Sequence, residues 1–294
     1  MGPDAALAAC RFLHDASAML LWGASAYLWA LVPSNLAKDV RRRLRPLGVV
    51  TIAVTVATTA ASLPIETAVI GEGWNAALDP GTIRDVLFDT SVGHAWQVQA
   101  LAALILAATL AVPLRSRQAS TALASGLLLA SITLTGHAVM QEGWIGLAHR
   151  INDVFHVVCS GAWLGALVPL LAILRRSDDP EDRGEVGIAV RRFSTAGHAI
   201  VALVIASGVL NTILVLGRWP TDWSSPYQAM LASKIALVAV MVGLAIVNRY
   251  ALVPRIAAAR SSTVQAMRFG TVAEIALGLC VVGLVAVFGT LDPM

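Results

Sequence analysis

The sequence predicts an all-α polytopic membrane protein, on three observations. Hydrophobic residues make up 57% of its 294 positions and charged residues only 13%. Mean hydropathy is +0.74, far above what an aqueous globule sustains. Apolar runs of about 20 residues, each long enough to cross a bilayer, recur along the whole chain. They are continuously apolar, whereas a barrel strand alternates, so helices are the spanning element.

Runs bounded by charged or Gly/Pro-rich breaks give eight spans, at about 8–32, 47–70, 94–113, 119–140, 149–174, 192–216, 227–250 and 268–290. They are read as one integral membrane domain covering 1–294. The first run lacks a basic lead-in and a small-residue cleavage site, so it is expected to stay as a span. Cys10, Cys159 and Cys280 lie in or beside apolar runs and form no closely spaced framework.

Orientation follows from the basic residues. The connections after the odd-numbered spans carry Lys38, Arg41, Arg42, Arg43, Arg45, Arg115, Arg117, Arg175, Arg176, Arg183, Arg191, Arg192, Arg249, Arg255, Arg260 and Arg268, which are 16 of the 21 Lys and Arg residues. The positive-inside rule assigns this side to the cytoplasm and both termini to the periplasm. The opposite connections carry Glu72, Asp79, Asp85, Asp89 and Asp222 with Trp74, Trp219 and Trp223, a composition that suits an interfacial belt. The net charge of +3 is thus a topology signal, and no basic stripe suggests nucleic-acid binding. No P-loop is present, so ATP hydrolysis by this chain is not expected.

Five of the six histidines fall in the outer layer: His14 in the first span, His94 at the start of the third, His137 at the end of the fourth, and His149 and His156 in the fifth. Polar side chains at membrane depth usually face the interior and mark sites or pathways. His149, Asp153 and His156 stand at i, i+4 and i+7 on one helix face, with Trp163 seven residues further and Cys159 close to the same stripe. An aspartate bonded to one imidazole nitrogen would fix the other as a ligand; pairing of Asp153 with Arg150 is the structural alternative. His137 and Met140 share a face in "LTGHAVMQEGW" (134–144). Imidazole combined with sulfur suits copper, above all Cu+. The remaining intramembrane polar groups are Glu66, Asn211 and Lys234, with Glu66 or Asp153 as candidate partners for the ammonium, and Glu274, with Arg249 or Arg268 as candidate partners. Gly-His-Ala recurs at 93–95, 136–138 and 197–199, but the copies lie on both sides of the membrane and are not one device.

The ordered series "NDVFHVVCSGAWLGALVPL" (152–170), "RRFSTAGHA" (191–199), "SGVLN" (207–211), Tyr227/Leu231/Lys234, "NRYALVP" (248–254) and Glu274/Leu277/Gly278 resembles the CopD copper resistance family of bacterial inner-membrane proteins. The resemblance runs from the fourth span to the end. It implies a multi-pass plasma-membrane protein that moves Cu+ or Cu2+ between periplasm and cytoplasm, with a separate periplasmic carrier of the CopC type as partner. It draws attention to His137, Asp153, His156, Trp163, Asn211 and Lys234. The expectation is a copper permease that is not an enzyme, its outer site formed by His137 and His156 with His94, Met140 or Cys159 completing the shell. Asp153, His149, Trp163, Glu66, Asn211, Lys234 and His14 are expected to support that site or line the pathway. The alternative is a b-type haem redox protein with axial histidines from two helices.

Overall fold

The computed structural model describes residues 1–111, 113–135, 143–258, 261–289 and 291, without the side chains of 114–116, 256–258 and 261. Among them the chain is helical and contains no strand. Nine α-helices follow in order: α1 (Pro3–Ala30), α2 (Ser34–Ile70), α3 (Pro80–Asp89), α4 (Ser91–Ala108), α5 (Leu114–Ser131), α6 (Gly143–Leu174), α7 (Arg183–Leu216), α8 (Pro226–Val247) and α9 (Ser261–Phe288). Short 3-10 turns extend several of them, and one π-helical stretch, Asn248–Leu252, follows α8. Pro254, which has no N–H to continue an α-helical ladder, lies just beyond it.

Among the described residues six helical segments are long and apolar enough to cross a membrane: Ser34–Ile70, Ser91–Ala111, Gly143–Asp178, Arg183–Leu216, Pro226–Arg255 and Ser262–Phe288. Helices α1 and α5 also lie where spans are expected but are more polar. For α1 the reason is its place in the bundle. It packs against α2, α5, α6 and α9, and its polar residues turn to these neighbours rather than to lipid. Arg11 pairs with Glu66 of α2 at 3.0 Å and reaches the Gly289 carbonyl beyond α9. Helix α2 begins at Ser34, well before the apolar run at 47, because its first turns carry the charged segment Lys38–Arg45 outside the run.

Two glycines set the α1–α6 approach. A Cβ on Gly165 would lie 2.0 Å from the Met19 carbonyl oxygen, and one on Gly23 would lie 2.4 Å from the Gly161 carbonyl oxygen. Only hydrogen at these positions lets the two backbones meet, which is how small residues tighten membrane helix pairs. Leu101, Leu104, Leu123, Leu127 and Phe155 face outward and more than half exposed, as a lipid-facing surface requires.

The basic residues gather at one end of the bundle. There Leu36 N–H donates to Glu185, Arg41 to Gln118, and Arg268 to both the Leu174 carbonyl and Asp178. A core of Tyr27, Leu36, Trp163, Leu167, Ile173 and Val186 closes this end. Glu274, buried in α9, accepts from Asn248 at 2.7 Å and from the Trp163 indole. The expected partners of Glu274 are occupied elsewhere, Arg249 with Ser194 and Arg268 with Asp178, so amide and indole donors satisfy the carboxylate instead.

Candidate functional site

Away from the basic end, α6, α7 and α8 bring together the polar residues of an otherwise apolar wall. Asn152 of α6 donates to the Asn211 side-chain carbonyl at 2.6 Å and to the Ser207 backbone carbonyl at 2.9 Å. Asn211 in turn donates to Asp153 at 2.9 Å. Lys234 of α8 lies close enough for its charge to be felt at both Asp153 and His156, and its ammonium stands 5.8 Å from the centre of the Phe288 ring. A charge at this depth needs such company. Asp153 is therefore the neighbour of Lys234, whereas Glu66, the other partner expected, is held by Arg11.

His156 is fixed from α7. Its Nδ1 lies 2.9 Å from the Ser207 hydroxyl, and that hydroxyl spends its own proton on the Leu203 carbonyl. Ser207 Oγ can then only accept, so Nδ1 carries the hydrogen and Nε2 keeps its lone pair. This is the arrangement that metal-ligating histidines use, with serine in the supporting place expected of Asp153. Gly208 makes room for the ring: a Cβ there would stand 3.2 Å from His156 Cε1.

The other expected residues are spread over the molecule. His149 is 2% exposed, two turns out along α6 from His156. Cys159 is a free thiol, half-buried, one turn in from it. Trp163 belongs to the core at the basic end, about 10 Å along the helix from His156. His94 is exposed in the first turn of α4. His14 is buried between α1 and α2 on the hydroxyls of Thr58 and Thr59. His137 and Met140 lie outside the described residues. Among the described residues no three His, Cys, Asp or Glu side chains come together as a metal cluster. A cleft of about 240 Å³ between α1, α6 and α7 is walled by Trp22, Ala26, Tyr27 and Phe193 and offers an ion no ligands.

Reasoning from the sequence missed Ser207, Asn152, Gly208 and the α2 threonines. Ser207 and Gly208 stand in the "SGVLN" stretch, and Asn152 opens the "NDVFH" stretch. Their partners, however, lie more than 50 residues away and emerge only when α6 packs on α7.

Two exposed carboxylates lie in the connections at the end away from the basic residues. Thr82, through its hydroxyl and its N–H, holds the Asp79 carboxyl below the usual carboxylate range, and Ser224 does the same for Asp222.

The chain is similar to known proteins over nearly its whole length. Residues 2–147 match the family model of the copper resistance protein D-like N-terminal domain, and residues 187–288 match that of copper resistance protein D. It is 31% identical over 288 residues to the inner membrane protein YebZ of Escherichia coli (strain K12), covering 97% of both chains. It is 34% identical over 216 residues to copper resistance protein D of Pseudomonas syringae pv. tomato, covering 69% of each. With the copper transport protein CutJ of Bacillus subtilis (strain 168) it shares 30% identity over 196 residues, 63% of this chain and 36% of that protein. No solved structure matches. Two of these three names speak of copper, and none lends the haem alternative support. The N-terminal match thus takes in the first three spans, which lie outside the resemblance read from the sequence, and the chain belongs to the copper resistance protein D family.

Proposed function

We propose that this chain is a permease that carries copper across the bacterial inner membrane and thereby serves copper homeostasis and resistance. In this reading all eight long helices span as one domain, the basic end faces the cytoplasm and both termini face the periplasm. Copper is cargo, Cu+ or Cu2+, and no bond of a substrate is made or broken, so the protein is not an enzyme. A periplasmic carrier of the CopC type delivers the ion, and the ionised Asp79 and Asp222 favour cations near the outer mouth.

The observation that carries the proposal is the His156 imidazole, with Nδ1 committed to Ser207, Nε2 left as a ligand, and a charged network beside it inside the membrane. His137, from the segment before α6, joins His156, and His94, Met140 or Cys159 completes the shell. Imidazole with sulfur selects copper over harder cations. Asp153, Asn211 and Lys234 hold the charge of the site near neutral as the ion arrives. His149, Glu66, Trp163 and His14 line or brace the route.

Copper uptake into proteoliposomes tests the site. His156→Ala and His137→Ala should each reduce uptake at least tenfold, in line with loss of a ligand. Undiminished uptake by both variants rejects it.

A further inference from the structure

The N-terminal helices hold a second imidazole whose protonation is dictated by its surroundings. His14 of α1 is 8% exposed, and its Nδ1 lies 3.2 Å from Thr58 Oγ1 and 3.4 Å from Thr59 Oγ1. Both threonines donate their hydroxyl protons to carbonyls of their own helix: Thr58 to Val54 at 2.8 Å or Thr55 at 3.0 Å, and Thr59 to Thr55 at 2.9 Å. Their oxygens are left as acceptors. Nδ1 must therefore carry the hydrogen, and Nε2 is a bare lone pair. Among the described residues Nε2 has no hydrogen-bond partner, although it is sealed from solvent. A buried polar atom without a partner is costly and asks for an occupant.

The residue one turn nearer the helix start is Cys10, also buried, at 7% exposure. Its Sγ lies 3.3 Å from the carbonyl oxygen of Thr58, the residue whose hydroxyl meets His14. Side chains four apart stand above one another on a helix and lean toward its N-terminus, which aims the His14 ring into the turn of Cys10. A buried sulfur and a sealed, unpartnered nitrogen thus stand one turn apart on α1, and both side chains pack on the Thr58–Thr59 turn of α2. Cys159 and Cys280 have no such arrangement: no described histidine with a sealed, unpartnered nitrogen stands beside either.

We propose that Cys10 Sγ and His14 Nε2 form a two-coordinate site for Cu+. The d10 ion tolerates low coordination, and the pairing of sulfur with imidazole excludes hard cations. Copper stays monovalent throughout: the thiol gives up its proton to solvent, the sulfur–copper bond forms, and one proton is released per ion bound. The Thr58 and Thr59 hydroxyls hold the imidazole in the ligating tautomer as Ser207 does for His156. This site rests on copper being the cargo, and it is a station separate from His156.

The test uses the full-length protein in detergent under reducing conditions, titrated with Cu+ against a chromogenic Cu+ chelator. On the wild type, Cu+ should protect Cys10 but not Cys280 from alkylation, located by mass mapping. In the His156→Ala background with one equivalent of Cu+, X-ray absorption should show a copper–sulfur path that is lost on adding Cys10→Ser and kept on adding Cys280→Ser. His14→Gln and Cys10→Ser should each weaken one equivalent of Cu+ at least tenfold, while His156→Ala leaves that equivalent in place. Alkylation of Cys10 unaffected by Cu+ in the wild type overturns the site without need of any variant. Binding lost only in His156→Ala also overturns it and leaves the copper function standing; no Cu+ binding at all by the wild type removes both.

Discussion

His14 and His156 are two histidines in one bundle with the same local chemistry and different company. Each has Nδ1 on a hydroxyl of the facing helix, and each hydroxyl has spent its proton on its own backbone, so both imidazoles keep Nε2 for a ligand. Around His14 stand a thiol and threonines, with Arg11, Asp15 and Glu66 close enough for their charges to be felt at Cys10. Around His156 stand Asp153, Asn211, Asn152 and Lys234. The difference teaches that a serine or threonine bonded to its own helix selects the tautomer, while the next shell decides what charge the site tolerates. A pocket whose thiol gives up its proton as the ion binds suits a monovalent ion. A network with a compensating ammonium and carboxylate suits a place where charge comes and goes.

The strongest way to break the comparison is to part the two sites. They are joined by α1 lying on α6, and Gly165→Ala places a Cβ 2.0 Å from the Met19 carbonyl oxygen. Backbone, not a flexible side chain, must yield. We expect about 3 kcal/mol of destabilisation, read as a lower thermal midpoint with both copper sites weakened together. Loss at only one site would show that they do not share this scaffold.

Next in size is the charge balance beside His156. Lys234→Met leaves Asp153 without its nearby cation in the membrane. The single variant should lose about 2 kcal/mol, and Lys234→Met with Asp153→Asn should recover most of it. A double-mutant cycle from thermal unfolding measures the coupling. Neither variant should alter Cu+ protection of Cys10, because the N-terminal pocket contains no part of this network.

Much of this was legible in the sequence, for reasons that differ between elements. The long helices announce themselves because lipid demands continuous apolar runs. The start of α2 does not, since Ser34–Pro46 is helical outside the apolar run, and α3 is too short and polar to register. Asn211 and Lys234 stood out as intramembrane polar groups, and both join one network. The pairing of Glu66 with Arg11 was hidden because it depends on how α1 sits against α2. Ser207 and Thr58 look like ordinary small helix residues until a histidine from another helix is placed against them.

A smaller effect sharpens the likeness between the two histidines. Ser207→Ala removes the one hydroxyl on His156 Nδ1 and should weaken copper there about tenfold, as loss of a supporting hydrogen bond does. Thr58→Val should weaken the His14 site less, because Thr59 Oγ1 stands behind it at 3.4 Å. Competition with a Cu+ chelator gives both numbers. Equal losses would mean that Thr59 contributes nothing to the ring.

The smallest expected effect lies outside the bundle, on the connection between α2 and α4. Asp79 caps α3 by accepting from the Thr82 N–H at 2.9 Å, and this contact helps hold its carboxyl low. A group whose folded pKa is depressed contributes its stabilisation fully above the unfolded value and loses it as pH falls through the folded one. Asp79→Asn should therefore speed amide exchange at Thr82 near neutral pH. As pH drops below the depressed value, wild type and variant should converge. Since α3 holds none of the copper ligands, exchange at Thr82 should change while both histidine sites keep their affinities.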